Sequence, residues 1–532
     1  MTTVADSSFL LFVYPFLFDA TEFQARADAI ETADWQVKGQ VFPVWKTARF
    51  PGQDMLAYVA SYLNPLGGSA HATARLWKLN EKLEEVYGLA GRADWWLQMS
   101  KEGIPFRLGE VNEDNFAVQF ALFRVGVGFL TVQVKPKSEE VSAWQDFLHH
   151  FRFVRGRRGV GVRALKSVGF DKQKGQPVYN PFYPEPAGGV AQHPDGVGEF
   201  DDLLNSFLRT GALGGETEPW WREVFVPEQV IPFAVLFIDG SPKSEDLELI
   251  YKVRNFFHSQ QGENPAPEDL QWDHSSLLPY SGRQWFIFSL NGGSFLACDA
   301  PDTQFFRQDL PKHLREQYFI LFLLTLHQRF VLMSLSQQVS DNWLAGDETA
   351  RAQAFERIRD TLLDFTARGH FTQVMQREHH HRCYRKWQEI FQISQLYQEV
   401  RGEIREMHDY LQMKRTERIR QLAEERQQQI AEQAFLDTER ERAAQERARH
   451  LEERLSLLGI IIGVPALVLS FLSINLIGIT TKEEGLPLWK ALLISIGGVV
   501  LGMCILWFVR KGGKKKDAKK TFEYRQHQSL LR

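Results

Sequence analysis

The sequence predicts an α/β (α+β) domain, read as cytoplasmic, followed by a helical region, a long stalk helix and a C-terminal hairpin of two transmembrane helices. Three observations predict it. Leu455–Ile479 and Leu488–Val509 are apolar runs, and the first carries no formal charge in 25 residues, enough to cross a bilayer core as a helix. Ahead of them, Arg385–Arg454 holds 14 basic and 15 acidic residues with no proline and one glycine, Gly402, a charge-balanced and helix-permissive composition. Before Leu310, strand-like apolar stretches alternate with amphipathic helical ones, the pattern of a mixed domain. These shifts set boundaries at 1–310 for an α/β domain, 311–384 for a helical subdomain and 385–454 for the stalk. The spans are 455–479 and 488–509, with 480–487 as outer loop and 510–532 as basic tail.

In the first 310 residues, Phe9–Phe18 (FLLFVYPFLF) reads as a buried strand rather than a signal peptide, since no Lys or Arg precedes it and Pro15 interrupts it. Glu22–Ala33 reads as a short helix and His71–Tyr87 as a longer one. Ala117–Val134 reads as two strands bent at Gly126 or Gly128, and Val141–Phe153 as a helix with Trp144, Phe147, Leu148 and Phe151 on one face. Gln176–Pro227 is rich in Pro and Gly and reads as an irregular excursion around a helix near Asp201–Arg209. Ile231–Asp239 is a strand, Leu247–His258 a helix, and Asn291–Gly293 the turn of a hairpin between Gln284–Leu290 and Ser294–Asp299.

Helices follow. Pro311 suits a first helical position, and the run to Val339 is apolar but too interrupted by His327, Gln328 and Arg329 to cross a membrane. A charged helix covers Asp347–Arg368, stops near Gly369, and another begins after Phe371. Ile390, Ile393, Tyr397, Val400, Ile404, Met407 and Leu411 keep a three-four spacing, the seam by which a helix pairs with other helices and, on this reading, holds subunits together. Unbroken from Arg385 to Ile479, such a helix would extend roughly 140 Å.

Basic residues orient the hairpin. Arg440, Arg442, Arg447, Arg449 and Arg454 enter the first span, and Arg510, Lys511, Lys514, Lys515, Lys516, Lys519 and Lys520 follow the second. The loop holds Lys482 against Glu483 and Glu484, so both termini are expected inside. Gly459, Gly463, Ala466, Ser470 and Ser473 recur at steps of four and three, one stripe down a helix face that can serve packing or line a pore. Ala491, Ser495, Gly498 and Gly502 repeat this in the second span, where packing is the plainer reading.

A soluble mixed domain, a long helix entering the first of two C-terminal spans, a tiny outer loop and a basic tail together resemble the CorA superfamily of divalent-cation channels and transporters. The motif-level likeness is confined to the outer end of the first span. Asn475 matches the family asparagine and Gly478 with Ile479 a later step, while Ser473 stands where the family has glycine and Thr480 where its zinc-transporting branch has proline. The resemblance implies a homopentamer in a bacterial inner membrane, with the first span around the axis and Asn475 at the pore mouth facing a hydrated Mg²⁺ or another divalent cation. Tyr318–Val339 and Phe371–Leu411 also look like a CorA-like group linked to antiviral defence, which implies control by a nucleotide second messenger bound to the soluble domain. A constitutive Mg²⁺ or Zn²⁺ transporter and a non-conducting membrane tether are the rival readings.

Two further clusters invite chemistry. Arg152, Arg155, Arg157, Arg158, Arg163 and Lys166 surround a glycine-containing basic stretch that could clasp phosphates, against the alternative of a solvated face. His379, His380, His381 and Cys383, with His370, could ligate a metal, yet adjacent helical residues point about 100° apart and cannot chelate one ion from one helix. A net charge of -4 gives no global case for nucleic-acid binding, and three distant cysteines, Cys298, Cys383 and Cys504, imply no disulfide framework. No spacing supports a catalytic constellation, so the chain is not expected to be an enzyme.

Overall fold

A computed structural model describes residues 2–37, 40–65, 72–86, 95–98, 103–109, 116–153, 163–171, 176–179, 185–186, 200–227, 229–262, 264–344 and 348–477. It also describes positions 493, 496, 497, 500, 501, 504 and 507. The main sheet is built from β1 (Phe9–Leu17), β2 (Trp45–Ala48), β3 (Ala74–Leu79), β4 (Trp95–Gln98), β5 (Gly103–Leu108), β6 (Val118–Phe123), β7 (Val127–Pro136), β8 (Arg163–Asp171), β9 (Gln176–Tyr179), β10 (Ile231–Asp239), β11 (Leu277–Ser281), β12 (Gln284–Ser289) and β13 (Gly292–Cys298). Its longest path runs β9-β8-β4-β5-β7-β1-β10-β13-β12-β11.

β1 lies at the centre, antiparallel to β7 from Val127 opposite Leu17 to Val134 opposite Leu10, and antiparallel to β10 on its other edge. β10 then pairs in parallel with β13, Phe233 opposite Gly293 through Ile238 opposite Cys298. Beyond β7 the sheet forks, because that strand is long enough to hold β6 along its first half and β5 at its end; the β6 branch continues to β3 and β2.

Every residue of β1 is buried, and alternate side chains enter two different cores. Leu10, Phe12, Tyr14 and Phe16 join one with helices α1 (Phe23–Glu31), α2 (Val141–Phe151), α3 (Phe200–Arg209) and α4 (Asp246–Asn255). Phe9, Leu11, Val13 and Leu17 join the other with α5 (Phe319–Leu344), α6 (Glu348–Arg368), α7 (Glu378–Ile390) and the start of α8 (Ile393–Ile477). A sheet covered on both faces has no solvent side, which is why its central strand reads as an unbroken apolar run instead of an alternating one. The α/β reading of the N-terminal region and the long C-terminal helix both stand.

Several expectations need correction. His71–Tyr87 is not one helix: β3 occupies Ala74–Leu79, pairing with both β2 and β6, and only Glu81–Val86 is helical. Its helical-looking spacing loses to two strand neighbours whose backbone groups need partners. Helical winding before α5 begins at Phe305 rather than Pro311, through π-helical Phe305–Asp309, the short Leu310–His313 turn and π-helical Leu314–Tyr318. Proline cannot donate the bond that a regular α-turn requires, and the winding on either side of it is correspondingly irregular. The final helix is interrupted as well, since Gln392 takes a left-handed φ of 54° between α7 and α8.

The chain divides into two units, Met1–Gln412 and Met413–Arg532. In the first, the seam expected to join subunits is covered by the chain's own core: Ile393 and Val400 are fully buried, and Ile390, Tyr397, Ile404, Met407 and Leu411 pack against the same cluster. The spacing is sound as a packing signal but silent about the partner. In the second unit, α8 from Met413 to Arg454 exposes its side chains, with short-range ion pairs such as Arg420–Glu424 at 3.2 Å and Lys414–Glu417 at 3.3 Å.

Candidate functional site

From Leu455 the side chains of α8 change character while the backbone does not. Leu455, Leu458, Ile460, Ile461, Ile462, Val464 and Leu467 are all exposed, from 45% for Ile461 to 72% for Leu467. Their positions go right round the helix, so the surface is an apolar cylinder rather than an amphipathic stripe. Within the unit nothing lies within 4 Å of where a Cβ would stand on Gly459 or Gly463, so neither glycine is explained by a close contact in a single chain. Ala466 is exposed beside them, and Pro465 sits inside the helix, where it removes one backbone donor.

Ser470 is helical and exposed, and Ser473 and Asn475 lie on the same helix backbone. Gly478 and Thr480 fall outside the described residues, as do Arg155, Arg157 and Arg158. Of the second apolar run, Leu493, Ile496, Val500, Leu501 and Trp507 are helical and more than half exposed. By length and composition one helix among the described residues could cross a membrane, Phe305–Trp343; 83% of its most apolar 18-residue window is buried, so it serves as the core helix under the sheet.

Arg163 and Lys166 stand on β8, opposite Gln98 and Trp95 of β4. Arg152, at the end of α2, is held between the Phe153 and Phe256 rings at 5.3 and 5.2 Å, and burial pushes its guanidinium down to about 10. Its contacts with these two rings give it a part in packing. At the histidine-rich junction His380 and Cys383 are buried, whereas His379 is exposed. His380 lies tilted against Tyr318 at 4.5 Å, with burial lowering its imidazole to about 4; the Cys383 thiol is raised by the same cause. His379 faces Tyr280 at 5.2 Å and His370 faces Tyr397 at 4.9 Å. Among the described residues no three His, Cys, Asp or Glu side chains are grouped to hold a metal ion.

One site escaped the sequence reading. A cavity of about 210 Å³ opens between the end of β2, the β3–β6 pair and the π-helical turn ahead of α5. Among the described residues, Arg49, Lys78 and Arg315 reach it with a single carboxylate, Glu316, over a floor that includes Phe50, Phe116 and Phe319. Lys78 stands directly across from Gln119, and the Arg315 guanidinium lies 4.5 Å from the Phe9 ring centroid. Positions 49, 78 and 315 are far apart in sequence, and no local motif signals their meeting; only the pairing of β2 with β3 and the packing of α5 beneath the sheet create it. Against known proteins, no family model matches the chain, no curated protein matches it, and no solved structure matches it.

Proposed function

We propose that the protein is a CorA-like, homo-oligomeric membrane channel for cations, anchored by the hairpin Leu455–Val509 and controlled by its large N-terminal unit. The observation that carries this reading is the apolar cylinder at Leu455–Leu467. Leaving seven large apolar side chains in water forfeits about 1.5–3 kcal/mol each, on the order of 10–20 kcal/mol together, which rivals the whole net stability of a domain. Such a surface calls for lipid or further copies of the same helix around it, and no charge interrupts it.

On this reading both termini face the cytoplasm of a bacterial inner membrane. The face bearing Gly459, Gly463, Ala466 and Ser470 turns toward the axis, with Ser473 and Asn475 near the outer mouth and Gly478 and Thr480 beyond. Small residues let several helices approach one another, and a ring of Asn475 carboxamides would meet a cation that keeps its inner hydration water, Mg²⁺ being the expected permeant ion. Binding of a nucleotide by the N-terminal unit would bias the pore between two states, which requires the ligand to prefer one of them.

Purified protein in liposomes tests this by dye-reported Mg²⁺ flux. Flux that depends on protein and falls severalfold in Asn475→Ala supports the channel. Sealed liposomes under every divalent ion and nucleotide tried would leave a tether.

A further inference from the structure

We propose that the cavity walled by Arg49, Lys78, Arg315 and Glu316 is a binding site for a small organic phosphate with a flat aromatic body. Three features of the wall and floor converge on that chemistry. Charge comes first: among the described residues Arg49, Lys78 and Arg315 line the cavity with one carboxylate, Glu316, and although Arg315 has a partner, Arg49, Lys78 and Glu316 make no ion pair there. Like charges gathered in a concavity repel one another, and an arriving phosphate relieves that repulsion through charge-assisted hydrogen bonds. The size is the second feature. About 210 Å³ is far beyond the roughly 10–15 Å³ that admits one water, so the space suits a ligand and not a trapped solvent molecule. Third, Phe50, Phe116 and Phe319 are buried and line the cavity, an apolar floor on which a ring can lie while its phosphate meets the cations.

The wall that carries Arg315 and Glu316 is itself unusual. Leu314–Tyr318 is a π-helical stretch, a winding that occurs as short insertions and marks functional positions more often than chance. It leads directly into α5, whose Phe319, Ile320 and Leu323 line the same cavity and belong to the core beneath the sheet. A ligand here would therefore touch the sheet and the core helix together. Arg163 and Lys166 of the basic run are not among the residues lining the cavity. Any role in gating rests on the channel reading above, whereas binding does not.

Titration calorimetry on the full-length protein in detergent, with 1-naphthyl phosphate as probe, tests the site without any flux measurement. The expected result is saturable 1:1 binding per chain, with 1-naphthol and inorganic pyrophosphate each at least about tenfold weaker because each lacks half of the recognised chemistry. Arg49→Gln with Lys78→Gln should weaken naphthyl phosphate at least about tenfold, at an unchanged melting temperature since neither side chain is in the core. Glu316→Gln removes the one repelling charge and should tighten binding a few fold, a gain that misfolding cannot mimic. No binding at millimolar probe, or equal affinity in the wild type and the double variant, overturns the proposal. Dioctanoyl phosphatidic acid displacing the probe at lower concentration than any aromatic phosphate would overturn the aromatic half of it and assign the site to a lipid headgroup.

Discussion

His327 is completely buried in the first turns of α5, between Phe123 at 4.2 Å, Phe365 at 6.0 Å and Tyr62 at 6.2 Å, and neither ring nitrogen has a hydrogen-bond partner. Burial holds its imidazole down to about 3, against an ordinary value near 6.5. Between those two pH values the unfolded chain takes up a proton that the folded chain refuses. Stability from this residue is therefore complete above about pH 6.5 and is lost as pH falls toward 3, at about 1.4 kcal/mol per pH unit for one proton. His380 and His150, both lowered to about 4 mainly by burial, slope the same way. His327→Leu keeps roughly the same volume and removes both the titration and two orphaned nitrogens. Its melting temperature should exceed the wild type's at pH 5 by more than at pH 7.5; parallel curves would mean that His327 is not the neutral core residue described. The sequence offered His327 only as an interruption of an apolar helix. Gly293 shows the same limit: the sequence put it in the hairpin turn, whereas it stands within β13 opposite Phe288, where a Cβ would lie 2.0 Å from Trp387.

Elements were legible where local pattern and tertiary demand agree. Phe9–Leu17 is apolar throughout because both its faces are covered, and Gly126, at a φ of 86°, turns β6 into β7 where a glycine was expected. They were illegible where tertiary packing overrides the pattern, as at β3, or where no marker residue announces a break. Gln392 is such a break: it adopts a left-handed φ with neither Gly, Asn nor Pro to signal it, so that α7 can bury Trp387 and Phe391, stacked at 5.3 Å, while α8 restarts at a new angle over the same core. A left-handed residue with a Cβ costs about 1–2 kcal/mol, whereas glycine inside a continuous helix costs about 1 kcal/mol. Gln392→Gly thus has opposite signs in the two cases. The urea midpoint of the full chain should rise, by up to about 1 kcal/mol in stability; a fall of that size would mean that α7 and α8 form one unbroken helix.

At the scale of the molecule, two apolar helices are candidates for the membrane anchor, and burial separates them. Phe305–Trp343 buries its apolar surface in the core beneath the sheet, while Leu455, Leu458, Ile460, Ile461, Ile462, Val464 and Leu467 stay exposed in their own unit. The sequence excluded the former on three polar residues, of which His327 and Gln328 prove fully buried. Removing residues 455–532 leaves the Met1–Gln412 unit, its two cores and the charged part of α8 intact. Expressed in bacteria, the full chain should pellet with membranes and resist alkaline carbonate, and the chain ending at Arg454 should move to the soluble fraction with the same far-ultraviolet circular dichroism per helical residue. A reporter fused after Arg532 should be active only in a form that works in the cytoplasm, because positions 440–454 and 510–520, expected inside, hold twelve Lys and Arg residues against one in the loop between the apolar runs. Retention of the shortened chain in the membrane would shift the anchor to the first 454 residues and remove the basis for a pore at Leu455–Ile479.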